Sequence, residues 1–168
     1  MMSNKAIIAA ATALIKLCTK KQLRIATAES CTGGLVAGAL TEVPGSSAVL
    51  ERGFVTYSND AKQQMLGVPL ATLDEYGAVS RETAEAMARG AQRHAYADLV
   101  VAITGIAGPG GGSAGKPVGL VHFAAASSIG KGSFVHVAKR YGAIGRANVR
   151  EKSVLQALAM LRTLAENV

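Results

Sequence analysis

Thr27-Ala28-Glu29-Ser30-Cys31-Thr32-Gly33-Gly34 joins two patterns: an apolar run, Leu23 to Ala28, that reads as a strand, and a small-residue run, Leu35 to Leu40, that reads as a helix. The junction makes Ser30 the best nucleophile candidate in the chain. The first turn of a helix leaves main-chain N–H groups unpartnered, and the macrodipole adds partial positive charge, so a developing oxyanion is favoured there. Gly33 and Gly34 lack the Cβ that would hold a ligand away from that backbone. The competing reading of the same residues is an ordinary strand-to-helix turn with Thr32 as N-cap.

Working outward, Ile7, Ile8, Ala11, Leu14, Ile15 and Cys18 share one helical face and predict an N-terminal amphipathic helix. Pro44 to Ser47 is a turn, and Ala48 to Tyr57 reads as a strand with Val49, Val55 and Tyr57 on one face and Leu50 and Phe54 on the other. Ser58 to Gly67 has N-cap candidates at one end and a C-cap glycine at the other, so a short helix is expected, with Lys62 in its first turn. Ser80 opens a longer helix that turns Ala84, Met87, Ala88, Ala91 and Ala95 inward. Leu99 to Ile103 is a continuous apolar run, the pattern of a central strand buried on both faces. Val118 to Ala126 and Ser133 to Arg140 read as a hairpin, and Gly145 to Glu166 as a final helix burying Val154, Leu155, Leu158, Leu161 and Ala165. Strands and helices alternate first and an antiparallel pair follows, which predicts a three-layer α/β/α domain around a mixed sheet, with residues 1–168 as one domain.

Composition narrows the function. The 168 residues are 49% hydrophobic, 17% charged and 4% aromatic, with 19 glycines and no tryptophan, enough apolar material for one sizeable core built from small side chains. The net charge of +7 suits nucleic acid, an anionic surface or a phosphorylated small molecule. The basic residues are scattered and lack interleaved aromatics for stacking bases, which argues against nucleic acid. No apolar run is long enough to span a bilayer, and Met1 to Thr12 lacks the form of a signal peptide, so the expected location is the cytoplasm. Cys18 and Cys31 form no disulfide framework, and the dispersed His94, His122 and His136 approach no metal-ligand spacing; no metal site is expected.

The glycine-rich loop contains two decoys. Gly110 to Lys116 matches the front of a P-loop, and Gly110 to Gly115 matches G-x-G-x-x-G. Both patterns require a following helix, whereas Pro117 and a strand pattern follow here. What remains is Thr104-Gly105-Ile106-Ala107-Gly108-Pro109, leaving the end of a central strand, where open α/β sheets place ligand crevices.

A serine needs a base, and no histidine is nominated by its context; His122 and His136 lie within strand patterns as satisfied structural residues. Lys62 can serve if desolvation favours its neutral form, with Tyr57 beside it to orient or shuttle the proton. Cys31 is the rival nucleophile, also near a helix N-terminus.

Ala28 to Gly34, Val55-Thr56-Tyr57-Ser58-Asn59-Asp60-Ala61-Lys62, and Ile103-Thr104-Gly105-Ile106-Ala107-Gly108-Pro109-Gly110-Gly111 together resemble the CinA C-terminal domain family over nearly the whole chain. The family includes nicotinamide-nucleotide amidases, which hydrolyse the carboxamide of nicotinamide mononucleotide to nicotinate mononucleotide and ammonia. The resemblance implies Ser30 as nucleophile, Lys62 as general base and Tyr57 as proton relay or lysine partner. It implies that Thr32, Gly33 and Gly34 form an oxyanion hole or ligand-facing helix mouth, that Thr104 and Gly105 line the pocket, and that Glu29, Cys31 and Gly108 join the substrate-binding set. No metal or organic cofactor is implied. Arg146 and Arg150 become candidates to meet the substrate phosphate, although Gly145 stands where many relatives carry an acidic residue. The chain lacks the N-terminal domain of full-length CinA proteins and is expected to act as a stand-alone module in pyridine-nucleotide recycling. The alternative within the family is a non-catalytic nucleotide-binding or regulatory module. The oligomeric state, a homo-oligomer included, stays open.

Overall fold

The strand that enters the Ser30 turn is buried along its whole length: β1 (Ile25–Glu29) lies inside a five-stranded sheet of order β2-β1-β3-β4-β5. The computed structural model describes residues 5–168, so Met1 to Asn4 of the stretch read for a leader lie outside the described residues. The chain runs α1 (Lys5–Lys21), β1, α2 (Leu35–Thr41), a 3-10 turn (Ser46–Ala48), β2 (Leu50–Val55), α3 (Asn59–Leu66), α4 (Leu70–Tyr76), α5 (Arg81–His94), β3 (Leu99–Gly105), β4 (Leu120–Ser127), β5 (Ser133–Arg140) and α6 (Arg146–Glu166). β1 pairs in parallel with β2 and β3, while β3, β4 and β5 pair antiparallel, so the sheet is mixed.

Period-2 alternation along the strands sends side chains to two cores. Val101, Ile103, Val121 and Phe123 pack with Ile7, Leu14, Leu40, Leu158 and Leu161 from α1, α2 and α6. Val100, Ala102 and Ala124 pack with Leu66, Leu73, Met87 and Ala88 from α3, α4 and α5. Helices therefore cover both faces, and the chain is a three-layer α/β/α domain.

Two local expectations differ from the structure. Leu50 and Phe54 do not share a face: Leu50 packs with the first core and Phe54 with the second. Ile25 pairs with Leu50 but Ala26 pairs with Arg52, so Glu51 is an extra residue, and this bulge reverses the facing of everything after it. Helix α4 was not foreseen, because it begins after Pro69 with no polar side chain capping it. By contrast, α3 and α5 carry the expected caps: Ser58 Oγ accepts from Ala61 N at 3.0 Å and Ser80 Oγ from Thr83 N at 3.1 Å.

The parallel part of the sheet positions the site. β1 ends at Glu29 in register with Ile103 of β3 and Val55 of β2, so three strands release the chain along one edge. Ser30 N donates to Ile103 O at 2.9 Å and Thr56 N to Glu29 O at 2.8 Å, which sets Ser30, Thr56 and Thr104 side by side. The glycine-rich loop leads into a strand, as read, and Lys116 is tied by its Nζ to Tyr76 O at the end of α4. His122 and His136 hydrogen-bond each other, Nδ1 to Nε2 at 3.0 Å, across β4 and β5.

Candidate active site

The edge formed by the three strand ends carries a cavity of about 200 Å³ lined by Ser30, Cys31, Tyr57, Lys62, Ala78, Val79, Thr104, Gly105, Ala107 and Arg146. At its floor Lys62 Nζ lies 3.1 Å from Ser30 Oγ. Helix α3 leaves β2 through the Ser58 cap, and this sends the Lys62 side chain back under the sheet edge, where Lys62 is 1% and Ser30 8% exposed. Lys62 Nζ also donates to Thr56 O at 3.0 Å and Tyr57 O at 3.4 Å. Among the described residues, no ion pair includes Lys62.

Burial without a carboxylate partner holds the Lys62 ammonium below the ordinary lysine range, with the nearby Cys31 acting weakly the other way. The two carbonyls can only accept. A neutral amine satisfies both with its two N–H bonds and turns its lone pair to the Ser30 hydroxyl, the arrangement a general base requires.

Cys31 is the weaker nucleophile here. It is 6% exposed, and burial pushes its thiol up to about 12, so the thiolate is disfavoured. It lines the cavity as a small buried side chain.

The helix mouth differs from expectation. Glu29, expected among the substrate-binding residues, points beneath α2 and is fully buried. Its carboxylate accepts from Gly34 N at 3.0 Å, Val36 N at 3.0 Å, Ala37 N at 2.9 Å and Thr27 Oγ1 at 3.2 Å. Glu29 is therefore the cap of α2, and its carboxylate occupies the helix N–H groups where a developing oxyanion was expected. Gly34 consequently cannot supply an oxyanion donor. Thr32 is not the N-cap either; Gly34 occupies that position, and Thr32 Oγ1 has no hydrogen-bond partner among the described residues.

Tyr57 also requires correction. The residue is 59% exposed and its phenol oxygen accepts from Arg146 Nη2 at 2.8 Å, while its main-chain carbonyl, not its hydroxyl, meets Lys62. β2 has ended at Val55, and the chain turns the Tyr57 ring outward over the mouth. A relay through the phenol is therefore not built into this geometry. Arg146 Nη1 also donates to Gly108 O at 3.0 Å, so Arg146 bridges two loops across the opening. Gly108 enters through its carbonyl, not as part of the cavity wall.

Thr104 Oγ1 donates to Ala78 O at 2.6 Å and ties the β3 end to the loop before α5. Gly105 is required by packing, because a Cβ there would lie 2.7 Å from Val121 Cγ2. Arg150, read as a phosphate candidate, does not reach the mouth: Nε donates to Cys31 O at 3.2 Å and Nη2 to Thr32 O at 3.1 Å. Ala107 lines the cavity from within the Thr104 to Pro109 stretch, whereas Ala78 and Val79, in the loop before α5, were not read as site residues because neither carries a chemical signature.

A buried serine–lysine pair at the carboxyl edge of a mixed α/β/α sheet defines the class of site. A model of the CinA C-terminal domain matches residues 8–165, and the chain belongs to that family. It is similar to the crystal structure of the competence/damage inducible protein CihA from Agrobacterium tumefaciens, at 54% identity and TM-score 0.95, covering 98% of each chain. It is also similar to a CinA-superfamily protein from Escherichia coli, at 37% identity and TM-score 0.88, covering 98% of this chain and 94% of that one. Among curated sequences, a CinA-like protein of Synechococcus sp. (strain CC9902) is 48% identical over 153 residues, 90% of this chain and 36% of its own length. A CinA-like protein of Geobacter sulfurreducens is 56% identical over 119 residues, 71% of this chain and 29% of its own. The chain thus spans about a third of the length of these curated relatives.

Proposed function

We propose that this chain is a serine amidohydrolase that converts the carboxamide of nicotinamide mononucleotide to the carboxylate of nicotinate mononucleotide, with release of ammonia. The observation that carries the reading is the 3.1 Å contact between Ser30 Oγ and a buried, ion-pair-free Lys62. Neutral Lys62 accepts the Ser30 proton as Oγ bonds to the amide carbon. The C–N bond then breaks and the Lys62 ammonium returns its proton to the departing ammonia. Water, deprotonated by Lys62, attacks the ester carbon; the C–Oγ bond breaks, and Ser30 recovers a proton.

The cavity accommodates the carboxamide-bearing ring, and the phosphate extends toward the mouth. Arg146 is exposed there, and its two hydrogen bonds leave N–H donors to spare for a phosphate. The net charge of +7 draws such an anion in.

Ammonia release from nicotinamide mononucleotide by the purified chain tests the assignment of the nucleophile. Ser30→Ala is expected to abolish turnover and Cys31→Ser to retain it. Activity that persists in Ser30→Ala and disappears in Cys31→Ser would move the nucleophile to sulfur.

A further inference from the structure

The glycine-rich loop lacks the helix of a P-loop, yet it delivers its lysine to a second cavity. Ser113 N donates to Lys116 O at 2.8 Å and Lys116 N to Ser113 Oγ at 3.2 Å, so the loop closes on itself and presents Lys116 from a fixed turn. Lys116 Nζ reaches Tyr76 O by passing over Gly77, where a Cβ would stand 3.0 Å from the amine. That contact uses one of the three N–H bonds of the ammonium.

The cavity beside it measures about 480 Å³, against about 200 Å³ for the reaction cavity, and falls in the range of roughly 300–1,000 Å³ that small-molecule sites occupy. The end of α4 contributes Glu75, the start of α5 Arg81 and Glu82, the loop Lys116, β4 His122 and β5 Arg140. Arg81 is paired with Glu85 of its own helix, at 2.8 Å. Among the described residues, no ion pair includes Lys116, Arg140, Glu75 or Glu82. Cations and carboxylates therefore face one space without neutralising each other. His122 Nδ1 is taken by His136 Nε2, which leaves Nε2 as the ring nitrogen available to a ligand. Burial first, then His136, Lys116 and Arg140, against the opposing Glu82, hold this ring down to about 4, so it is uncharged at neutral pH.

The two cavities share a wall, because Val79 lines both. That wall is pinned on each side. Ala78 O accepts from Thr104 Oγ1 at 2.6 Å on the reaction side, and Gly77 O from Thr83 Oγ1 at 2.7 Å within α5.

We infer that this cavity is a second ligand site and that it takes a phosphorylated polyol, the sugar phosphate chemistry shared by free sugar phosphates and nucleotides. The phosphate lies between Lys116 and Arg140, the lysine supplying a point charge and the guanidinium a planar fork of donors. Glu75 and Glu82 set the rest of the class. Sugar hydroxyls donate to these carboxylates, whereas a bare inorganic anion meets only their repulsion. Binding is measured without hydrolysis, so the inference does not rest on the amidohydrolase reading.

Isothermal titration calorimetry tests it, with ribose 5-phosphate, adenosine 5′-monophosphate, inorganic phosphate and ribose as probes and each variant first checked by thermal melting. Ribose 5-phosphate and the nucleotide are expected to bind wild type with Kd of about 0.1 mM or tighter, and phosphate or ribose alone at least about tenfold more weakly. Arg140→Ala and Lys116→Met each weaken both sugar phosphates about tenfold or more. Arg140 is exposed, so its variant keeps the test alive if Lys116→Met does not fold. Glu82→Ala weakens ribose 5-phosphate and spares inorganic phosphate. Arg146→Ala leaves binding intact, and Arg140→Ala hydrolyses nicotinamide mononucleotide within about threefold of wild type. Tighter binding of the nucleotide than of ribose 5-phosphate assigns the site to nucleotides; equal binding assigns it to free sugar phosphates. No binding to wild type at millimolar concentrations overturns the inference, as does affinity unchanged in both Arg140→Ala and Lys116→Met. Loss of binding in Arg146→Ala alone also overturns it, because the probe then sits in the reaction cavity. Inorganic phosphate binding as tightly as ribose 5-phosphate overturns the polyol assignment.

Discussion

Lys62 and Ser30 are 32 positions apart in the chain, yet the Lys62 amine and the Ser30 hydroxyl lie 3.1 Å from each other, and both residues are buried. Neither belongs to a sheet strand: Ser30 follows β1 and Lys62 stands in the first turn of α3 after β2. Parallel pairing of β1 with β2 is what brings the two segments to one edge.

Burying an amine without a counter-charge costs stability, and the sign is definite. The folded state holds Lys62 below the ordinary lysine value, so the unfolded chain binds the extra proton, and the penalty grows as pH falls below about 10.5. Lys62→Met is expected to be inactive but more stable at neutral pH, by about 1 kcal/mol, with the advantage shrinking toward pH 10. Urea unfolding at pH 7 and pH 10 measures both effects.

The Glu29 carboxylate holds three N–H groups of the α2 mouth. Glu29→Gln removes the charge and turns one acceptor into a donor facing those N–H groups. A loss of roughly 2 kcal/mol is expected by chemical denaturation.

His122 is held down to about 4 by burial first and by neighbouring His136 second, with Lys116 and Arg140 adding to the effect and Glu82 opposing it. An unfolded histidine titrates near 6.5, so between pH 6.5 and about 4 the unfolded chain takes up the proton that the fold refuses. Stability is expected to fall as pH drops through that window, by up to about 1.4 kcal/mol per pH unit from this group. His122→Phe should flatten that slope in melts collected across the window.

Much of this was legible because the local signals agree with the tertiary structure. The apolar faces of α1 and α5, the Ser58 and Ser80 caps, the apolar run Leu99 to Ile103 of β3 and the β4–β5 hairpin are each stated by adjacent residues. Three features were not legible, each for a physical reason. The β2 bulge at Glu51 depends on how the strand meets β1, which residue spacing along β2 does not encode. Glu29 caps a helix from inside the preceding strand, five to eight residues before the N–H groups it holds, outside the range of any N-cap pattern. Arg150 reaches the Ser30 turn from 118 and 119 residues away, so its carbonyl contacts could not be anticipated, and it looked like a surface cation free for phosphate.

The central claim is that an uncharged Lys62 takes the proton from Ser30, and ammonia release from nicotinamide mononucleotide by Lys62→Arg beside wild type tests it most directly. Arginine keeps a positive charge at the position but stays protonated and cannot act as a base, so turnover is expected to fall by at least about 10⁴-fold. Near-normal turnover by a folded Lys62→Arg variant would contradict the account.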